Sequence, residues 1–318
     1  MNSQLMLALN CLPVKNEAHC ETDASKLTEF MSCPRKFFFH YILGWQTDSA
    51  NNHLVFGTAW HEAMEHLLLN GYAAEEVSTA FEKFLLSYRT EFSELTDDDY
   101  SPKSPAMAMK ALKAYVKTYA KDVNEIKALY TEIGFRASLS KEFTMCGRID
   151  AIIQNGIGTY PLDHKTGSRA GLTWTKQFDL GMQTGLYTHA AALKYGFDKI
   201  LGTKYNGVFF YKSGEVKFER VPCWRSAVQQ KTWLQTTLGW LRQMRREYET
   251  LATESDSQAV MLSFPMRGTN CTNYGVCQYH DFCNLWGNPL QHVARPPAGF
   301  VRRFWSPFDR AVKTSLEV

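Results

Sequence analysis

The chain has 318 residues, of which 45% are hydrophobic and 14% aromatic. This composition is sufficient for a substantial buried core and excludes an intrinsically disordered protein. The formal net charge of +3 is too small for a protein that binds polyanions through bulk charge alone, so any DNA contact is expected to come from local patches.

The sequence predicts a cytoplasmic protein. No stretch approaches the roughly 18 apolar residues that a membrane span requires. The apolar run from Leu5 to Leu9 lacks the basic leader and the small-residue cleavage site of a secretion signal. Because the cytosol keeps thiols reduced, the eight cysteines are better explained by metal ligation than by disulfides.

The first third of the chain is predicted to be helical. Ser25 is a candidate N-cap for a helix that Cys33-Pro34 interrupts, which indicates two short helices. Three longer helices are predicted from the apolar periodicity, over about residues 57–69, 73–88 and 106–130.

Strand-like segments replace the helical periodicity between about residues 138 and 165. Gly147 and the Asn155-Gly156 turn divide this region into about three antiparallel strands. A crossover helix, two strands and a long helix are then predicted, over about residues 176–194, 205–211, 215–221 and 225–250. This order indicates an α/β fold with a helical insertion in front of its core.

The most informative segment runs from Gly147 to Gly167. Asp163 and Lys165 are two residues apart on a predicted strand, so both side chains project from one face while His164 points away. Asp150 lies on the neighbouring hairpin strand and can approach the same face. Two carboxylates can hold a divalent cation that activates water, and the ammonium stabilises developing negative charge, so this set suits phosphodiester hydrolysis.

These motifs resemble the PD-(D/E)XK nuclease superfamily, in the branch of the RecB and AddB nuclease domains and the CRISPR-associated iron-sulfur exonucleases. The resemblance spans roughly residues 25–285. Asp150 in Gly-Arg-Ile-Asp, together with Asp163 and Lys165, matches the acidic pair and the lysine of that family. The segment from Phe56 to His61 resembles the helical histidine motif of the branch, in which the histidine binds the metal.

Gln183 and Tyr187 match the glutamine-to-tyrosine motif that lies beside the active site in this family. They are four residues apart on a predicted helix, so the amide and the phenol share a face and can contact substrate or Lys165. The resemblance also implies that the main-chain carbonyl of His164 binds the metal, which would be Mg²⁺ or Mn²⁺. A nitrogen ligand at His61 makes the site more hospitable to Mn²⁺ than an all-oxygen site would be.

The resemblance implies a restriction-endonuclease-like core, in which helices flank a central mixed sheet. Each motif residue also has a purely structural interpretation, as a solvated strand end, a partly buried histidine or a packing residue. The catalytic interpretation is favoured because four motifs occur in the order and spacing of the family. Glu142 is a further candidate for the acidic site.

Three cysteines at equal intervals, Cys271, Cys277 and Cys283, lie near the end of the chain, and Cys33 is the candidate fourth ligand. This arrangement resembles the iron-sulfur members of the branch, in which one cysteine precedes the nuclease core and three follow it. Four thiolates suit a 4Fe-4S cluster. Zn²⁺ bound to the same thiolates is the main alternative, and unligated buried cysteines are another. The remaining cysteines are predicted to be ordinary thiols: Cys11, Cys20, Cys146 and Cys223.

Arg35 and Lys36 are candidates for substrate binding because they precede three consecutive phenylalanines, Phe37 to Phe39. Arginine and lysine contact phosphates, and aromatic rings stack on the bases of single strands. Core aromatics with flanking solvated charges are an equally good interpretation.

The predicted organisation is an N-terminal extension (1–24), a RecB-like nuclease domain (25–290) and a basic, aromatic tail (291–318). The domain is divided into a helical part, a nuclease core and a cysteine-cluster segment, at about residues 25–131, 132–252 and 253–290. We expect a DNA exonuclease or end-processing nuclease that acts on single strands or DNA ends. The resemblance implies a role in recombination, repair or CRISPR spacer capture. A non-catalytic DNA-binding or scaffold protein of the same fold, and a sequence-specific endonuclease, are the alternatives.

Overall fold

The computed structural model describes residues 22–200, 202–273, 275–304, 308 and 313–318. The predicted N-terminal extension lies almost entirely outside this range, as do Cys11 and Cys20. The chain forms two compact units, each assembled from separate segments. Of the described residues, those within 22–48, 136–147 and 232–308 belong to the first unit, and those within 49–135, 148–231 and 313–318 belong to the second.

The first unit begins with two short helices, α1 (Ala24–Ser32) and α2 (Pro34–Phe37), as the interruption at Cys33-Pro34 predicts. The N-cap of α1 is Asp23 and not Ser25, because the Asp23 carboxylate accepts a hydrogen bond from the Lys26 N–H at 2.8 Å. A π-helical turn follows α2 over Phe38–Ile42. Further along, β1 (Trp45–Thr47) pairs antiparallel with β7 (Phe300–Arg302), so the predicted tail contributes a strand.

Aromatic side chains fill the interior of the first unit. Phe39 is fully buried, and its ring stacks on those of Trp45 and Tyr279. Phe37 and Phe38 are also buried and contact the ring of Phe264. The phenylalanine run is therefore core packing, and the alternative of base stacking by these rings is wrong. The helical elements that complete this region are Ala227–Leu251 (α9), Gly268–Asn270, His280–Leu285 (α10) and Pro289–His292.

The second unit carries a helical layer made of α3 (Asn52–Asn70), α4 (Ala74–Tyr88), α5 (Pro105–Thr118) and the short α6 (Asp122–Glu125). The Asn51 side chain caps α3 by accepting from the His53 N–H at 2.9 Å. Buried aromatic residues of α3, α4 and β5, Phe56, Phe84 and Phe210 among them, form its core. The predicted helix over 106–130 is wrong beyond Thr118.

Six strands form the main sheet, in the order β6-β5-β4-β3-β2-β8. Their bounds are β2 Lys127–Ser138, β3 Thr144–Gln154, β4 Thr159–Gly167, β5 Gly202–Phe210, β6 Val216–Trp224 and β8 Thr314–Glu317. β4 pairs antiparallel with β3 and parallel with β5, and β5 pairs antiparallel with β6. The sheet is therefore mixed, as expected. The predicted helix over 176–194 is two helices, α7 (Leu172–Lys176) and α8 (Met182–Tyr195).

β4 is an interior strand, and five consecutive residues from Tyr160 to His164 are buried. Both faces of the strand are covered, so apolar and polar residues do not alternate along it. No helix within the described residues is both long and apolar enough to cross a membrane.

Candidate active site and cysteine cluster

Asp163 and Lys165 meet on one face of β4, as their spacing predicts. The Lys165 Nζ atom lies 2.7 Å from the Asp163 Oδ2 atom. Asp163 is 1% exposed, whereas 33% of the Lys165 side-chain surface remains exposed. A buried carboxylate is thus paired with an ammonium group that still reaches solvent.

Asp150 on β3, His61 on α3 and the peptide of His164 form the second half of the site. The His61 Nδ1 atom lies 3.3 Å from Asp150 Oδ1, and its Nε2 atom donates to the carbonyl oxygen of His164 at 2.7 Å. The His164 N–H donates to Asp150 Oδ2 at 2.7 Å. Three groups that the sequence associates with metal binding are therefore in direct contact.

The protonation of His61 follows from these contacts. Burial of the ring by itself lowers the pKa of His61, but the neighbouring carboxylate of Asp150 outweighs burial and raises it above the usual value. Both ring nitrogens face oxygen acceptors, so the doubly protonated imidazole satisfies both contacts. A metal ion at Nδ1 therefore has to displace a proton.

The two aspartates differ in acidity. Burial raises the pKa of Asp163 to about 6, although the charge of Lys165 opposes the shift. Burial acts in the same direction on Asp150, but the charge of His61 and hydrogen bonds from His61 and the His164 N–H lower the pKa of Asp150 overall. Asp150 is therefore the permanently ionised member of the pair at neutral pH.

The donor set fits a hard divalent cation. Asp163 Oδ2 is buried and accepts no hydrogen bond, although Lys165 lies close to it. Carboxylate oxygens, a carbonyl oxygen and one imidazole nitrogen suit Mg²⁺ or Mn²⁺. Across the described part of the chain, no three histidine, cysteine, aspartate or glutamate side chains stand in an arrangement that holds a metal ion as they are. The four predicted metal-site groups contact one another or Lys165 instead.

Gln183 and Tyr187 on α8 hold Asp163. The Gln183 amide nitrogen donates to Asp163 Oδ1 at 3.2 Å and to the Tyr187 hydroxyl oxygen at 2.8 Å. The Tyr187 hydroxyl donates in turn to the carbonyl oxygen of Arg148, two residues before Asp150. The expected contact of this motif with Lys165 is not what the structure shows, since the amide binds the aspartate. α8 thereby links the two strands that carry the acidic residues.

Glu132 is a site residue that sequence reasoning missed. Its carboxylate lies 3.2 Å from Arg148 Nε. Burial raises the pKa of Glu132 to about 7, and the negative charge of Asp150 adds to the shift. The residue has a φ of +45° within β2, a left-handed conformation that interrupts the alternation of side chains along a strand. No residue pattern in the sequence predicts such an interruption. In addition, the helix predicted over residues 106–130 covered the start of β2.

Glu142, the further acidic candidate, is not on a strand. It belongs to the first unit, where its Oε2 atom lies 3.3 Å from Arg245 Nη1 and 61% of its side chain is exposed. The structure therefore assigns it to a surface ion pair. The sequence did not reveal that Glu142 lies in a loop, before β3 begins at Thr144.

The prediction that Arg35 binds DNA is also wrong. Arg35 is 3% exposed, and its guanidinium donates to three carbonyl oxygens, those of Phe264, Met261 and Ser263 at 2.9, 3.3 and 3.5 Å. A buried guanidinium with these bonds cannot reach a phosphate. Lys36 lies 3.0 Å from a carboxylate oxygen of Glu29 and is 39% exposed, so its DNA contact stays a prediction.

The four cysteines proposed as cluster ligands all belong to the first unit, and none forms a disulfide. The Asn270 amide donates to the carbonyl oxygen of Ser32, which joins the residues that precede Cys271 and Cys33. The Cys277 N–H donates to the carbonyl oxygen of Cys271 at 2.8 Å. Segments 238 residues apart in the chain are thus adjacent in the fold.

The thiols also interact electrostatically. Burial raises the pKa of the Cys283 thiol to about 12, Arg35 opposes this shift, and Cys33, Cys277 and Cys271 add to it. Four thiolates are the usual donor set of an iron-sulfur cluster or of Zn²⁺, but no three of these described thiols stand in an arrangement that holds a metal ion as they are. Cys146 and Cys223 are buried and form no disulfide, and their interpretation as ordinary cysteines stays a prediction.

Comparisons with known proteins show the family and the fold. The family model of the PD-(D/E)XK nuclease superfamily matches residues 23–284. A protein from Eubacterium rectale, described as a putative exonuclease, has a similar solved structure with a TM-score of 0.54 and 12% sequence identity, covering 86% of this chain and 92% of that chain. This likeness shows the fold. A second solved structure, SSO0001, is 14% identical over 50% of this chain and 83% of that chain, but its TM-score of 0.21 carries no argument. Curated protein sequences give no significant match.

Replacement of the Tyr187 hydroxyl is expected to destabilise the protein. Tyr187→Phe removes the donor to the Arg148 carbonyl, and a buried acceptor left without its partner costs about 1–3 kcal/mol of the free energy of unfolding. Tyr160→Phe is the matched control, because the buried Tyr160 hydroxyl has no hydrogen-bond partner in the described residues. Denaturant unfolding of both variants checks the prediction, and equal losses in the two would contradict it.

Metal binding is expected to weaken at acid pH. Asp163, with a pKa of about 6, and His61, with a raised pKa, are both protonated at pH 5 and must lose protons to bind a cation. Each displaced proton lowers the affinity by about tenfold per pH unit below its pKa. The increase in melting temperature caused by Mn²⁺ should therefore be larger at pH 7.5 than at pH 5. Asp163→Asn should reduce the increase at both values, and a pH-independent increase would refute the assignment.

Proposed function

The chain belongs to the PD-(D/E)XK nuclease superfamily, and on this premise we propose that it is a metal-dependent deoxyribonuclease that digests DNA from its ends. The observation that carries the proposal is the ion pair between the buried Asp163 and the solvent-accessible Lys165, next to Asp150 and His61. Solvent access at Lys165 leaves a route for a phosphate to the carboxylates.

His61, Asp150, Asp163 and the His164 carbonyl oxygen would hold the cation. A divalent cation bound there supplies Lewis-acid chemistry, since it lowers the pKa of water and offsets the charge of the phosphorane transition state. Lys165 places an ammonium group where that charge develops. Gln183 and Tyr187 keep the Asp163 carboxylate in place.

Digestion of DNA by this chain is proposed to proceed from ends, on single strands or at duplex termini. The solved structure with TM-score 0.54 is described as a putative exonuclease, and this description is a reason for the proposal, although the likeness itself shows the fold alone. Roles in recombination, repair or CRISPR spacer capture are proposed on the family resemblance alone.

The cysteine tetrad is proposed to bind a 4Fe-4S cluster, with Zn²⁺ as the alternative occupant. Cys33 and Cys271 are separated by most of the chain, and a link across so long a loop strongly restricts the unfolded chain. The proposed role is therefore a structural clasp within the first unit. Arg35, buried between carbonyl oxygens beside this tetrad, places a positive charge near the thiolates.

DNA digestion tests the nuclease proposal directly. Single- and double-stranded DNA, labelled at the 5′ or the 3′ end, is incubated with Mg²⁺ or Mn²⁺. Lys165→Met should lower the rate by about 10²–10³-fold, the usual loss when one group that stabilises transition-state charge is removed. Asp163→Asn should lower it at least as much, whereas the exposed Asp198→Asn should not change it. A wild-type protein that binds DNA but leaves every substrate intact would favour the scaffold alternative.

The cluster proposal has its own test. Anaerobically purified protein should absorb near 400 nm and contain iron, and Cys33→Ser should lose both and melt at a lower temperature. Cys223→Ser, at a buried thiol of the second unit, is the matched control. Zinc without iron in the wild type would select the alternative metal. Unchanged metal content in Cys33→Ser would remove that residue from the ligand set.

A further inference from the structure

A cavity of about 530 Å³ lies in the second unit, on the face of β4 from which Leu162 and His164 project. Its volume is within the roughly 300–1,000 Å³ of typical small-molecule sites. Asp150, Asp163 and Lys165 do not line it, so it is distinct from the candidate active site. His164 is the residue shared by both, through its imidazole in the cavity and its peptide in the site.

A rigid polar network forms one wall of the cavity. Arg220 contacts both oxygens of Asp122, at 2.9 and 2.6 Å, and its Nε atom donates to Asn206 Oδ1 at 3.3 Å. Because arginine only donates, Oδ1 of Asn206 faces Arg220 and its amide nitrogen donates to His164 Nδ1 at 3.1 Å. The imidazole hydrogen is therefore on Nε2.

The His164 Nε2–H group donates to no acceptor among the described residues, and His164 lines the cavity. A donor that faces a cavity without a protein acceptor is available to an acceptor on a ligand. Asn206 and Arg220 supply none, since their acceptor and donor atoms are already paired with each other and with Asp122.

Lys204 supplies the positive charge. Lys204 pairs with Leu162 on the adjacent strand, and His164 lies two residues beyond Leu162. Lys204 and His164 are therefore on the same face of the sheet. The Lys204 ammonium group is 3.9 Å from the ring centroid of Tyr160 and forms no ion pair within the described chain. Arg220 is neutralised by Asp122, and Glu125 lies at the exposed rim. Among the described residues that line the cavity, Lys204 is therefore a cation without a carboxylate partner.

The remaining walls are apolar or aromatic. They consist of Met64, Leu68, Tyr72, Ile126, Ile153 and Leu162. At the rim, Asn155 Oδ1 accepts from the N–H groups of Ile157 and Gly158, which leaves the amide nitrogen of Asn155 free for a ligand. A suitable occupant has an oxyanion for Lys204 and His164, a flat apolar body and an acceptor near its far end.

We infer that this cavity binds a nucleoside monophosphate, with the phosphate at Lys204 and His164 Nε2 and the base between the apolar walls and Asn155. The ligand class rests on the proposed function, because an exonuclease releases such products. The His164 peptide contacts both His61 and Asp150. A nucleotide that binds the His164 imidazole therefore acts on the residue whose peptide faces the candidate metal site.

Calorimetric titration of the full chain with thymidine 5′-monophosphate, in EDTA, tests the inference. Lys204→Gln should raise the Kd at least about tenfold, as expected for loss of a charged hydrogen bond, and Lys204→Arg should retain most of the affinity. Lys199→Gln, at an exposed lysine just before β5, is the matched control and should bind like wild type. Asn155→Asp keeps the turn acceptor but adds a rim charge, and should weaken binding.

Thymidine, which lacks the phosphate, should not bind measurably. Absence of binding, equal binding of thymidine, or unchanged affinity in both Lys204→Gln and Asn155→Asp would overturn the inference. The DNA digestion assay keeps the two proposals apart. Nucleotide binding without DNA digestion would contradict only the nuclease proposal. DNA digestion without nucleotide binding would contradict only the proposal for the cavity.

Discussion

The burial of two carboxylates on neighbouring strands is the constraint on which the second unit depends. Asp163 is 1% exposed and Asp150 8% exposed, and an unpaired charge at that depth is strongly destabilising. Each carboxylate therefore has dedicated partners, Lys165 and Gln183 for Asp163, and His61 with the His164 N–H for Asp150. Asp163 is not fully satisfied, since its Oδ2 atom accepts no hydrogen bond. The same arrangement that makes these side chains tolerable in the fold leaves them ready for a cation.

His164 connects this site to the rest of the sheet. Its position between Asp163 and Lys165 on an interior strand directs the imidazole to the opposite face, where Asn206 and Arg220 fix its tautomer. Its peptide group meanwhile donates to Asp150 and accepts from His61. His164 thus takes part in both regions, through its imidazole on one face of the sheet and through its peptide group beside the candidate site. This is possible because only side chains alternate between the two faces of a strand.

The first unit is assembled from segments that are far apart in the chain. Aromatic packing of Phe39 on Tyr279 and the hydrogen bond between Asn270 and Ser32 bring the segment around Cys33 next to the segment that holds the other three cysteines, and Arg35 adds bonds to the carbonyls that precede it. A ligated cluster would add to an interior that is already closed. This explains why a run that reads as a basic, aromatic DNA patch is buried: the guanidinium satisfies carbonyl oxygens at the irregular end of a chain segment.

The sequence by itself determined the α/β fold and placed Asp163, Lys165 and Asp150 near one strand face, because strand alternation is a local property. The candidate role of His61 came from the family resemblance. It also identified Gln183 and Tyr187, but not that Gln183 donates to Asp163 and Tyr187 to the Arg148 carbonyl. Only the tertiary structure decided the place of Glu132, whose left-handed backbone breaks the alternation. It likewise decided the burial of Arg35 and the surface ion pair of Glu142, since burial depends on segments that are far away in the sequence.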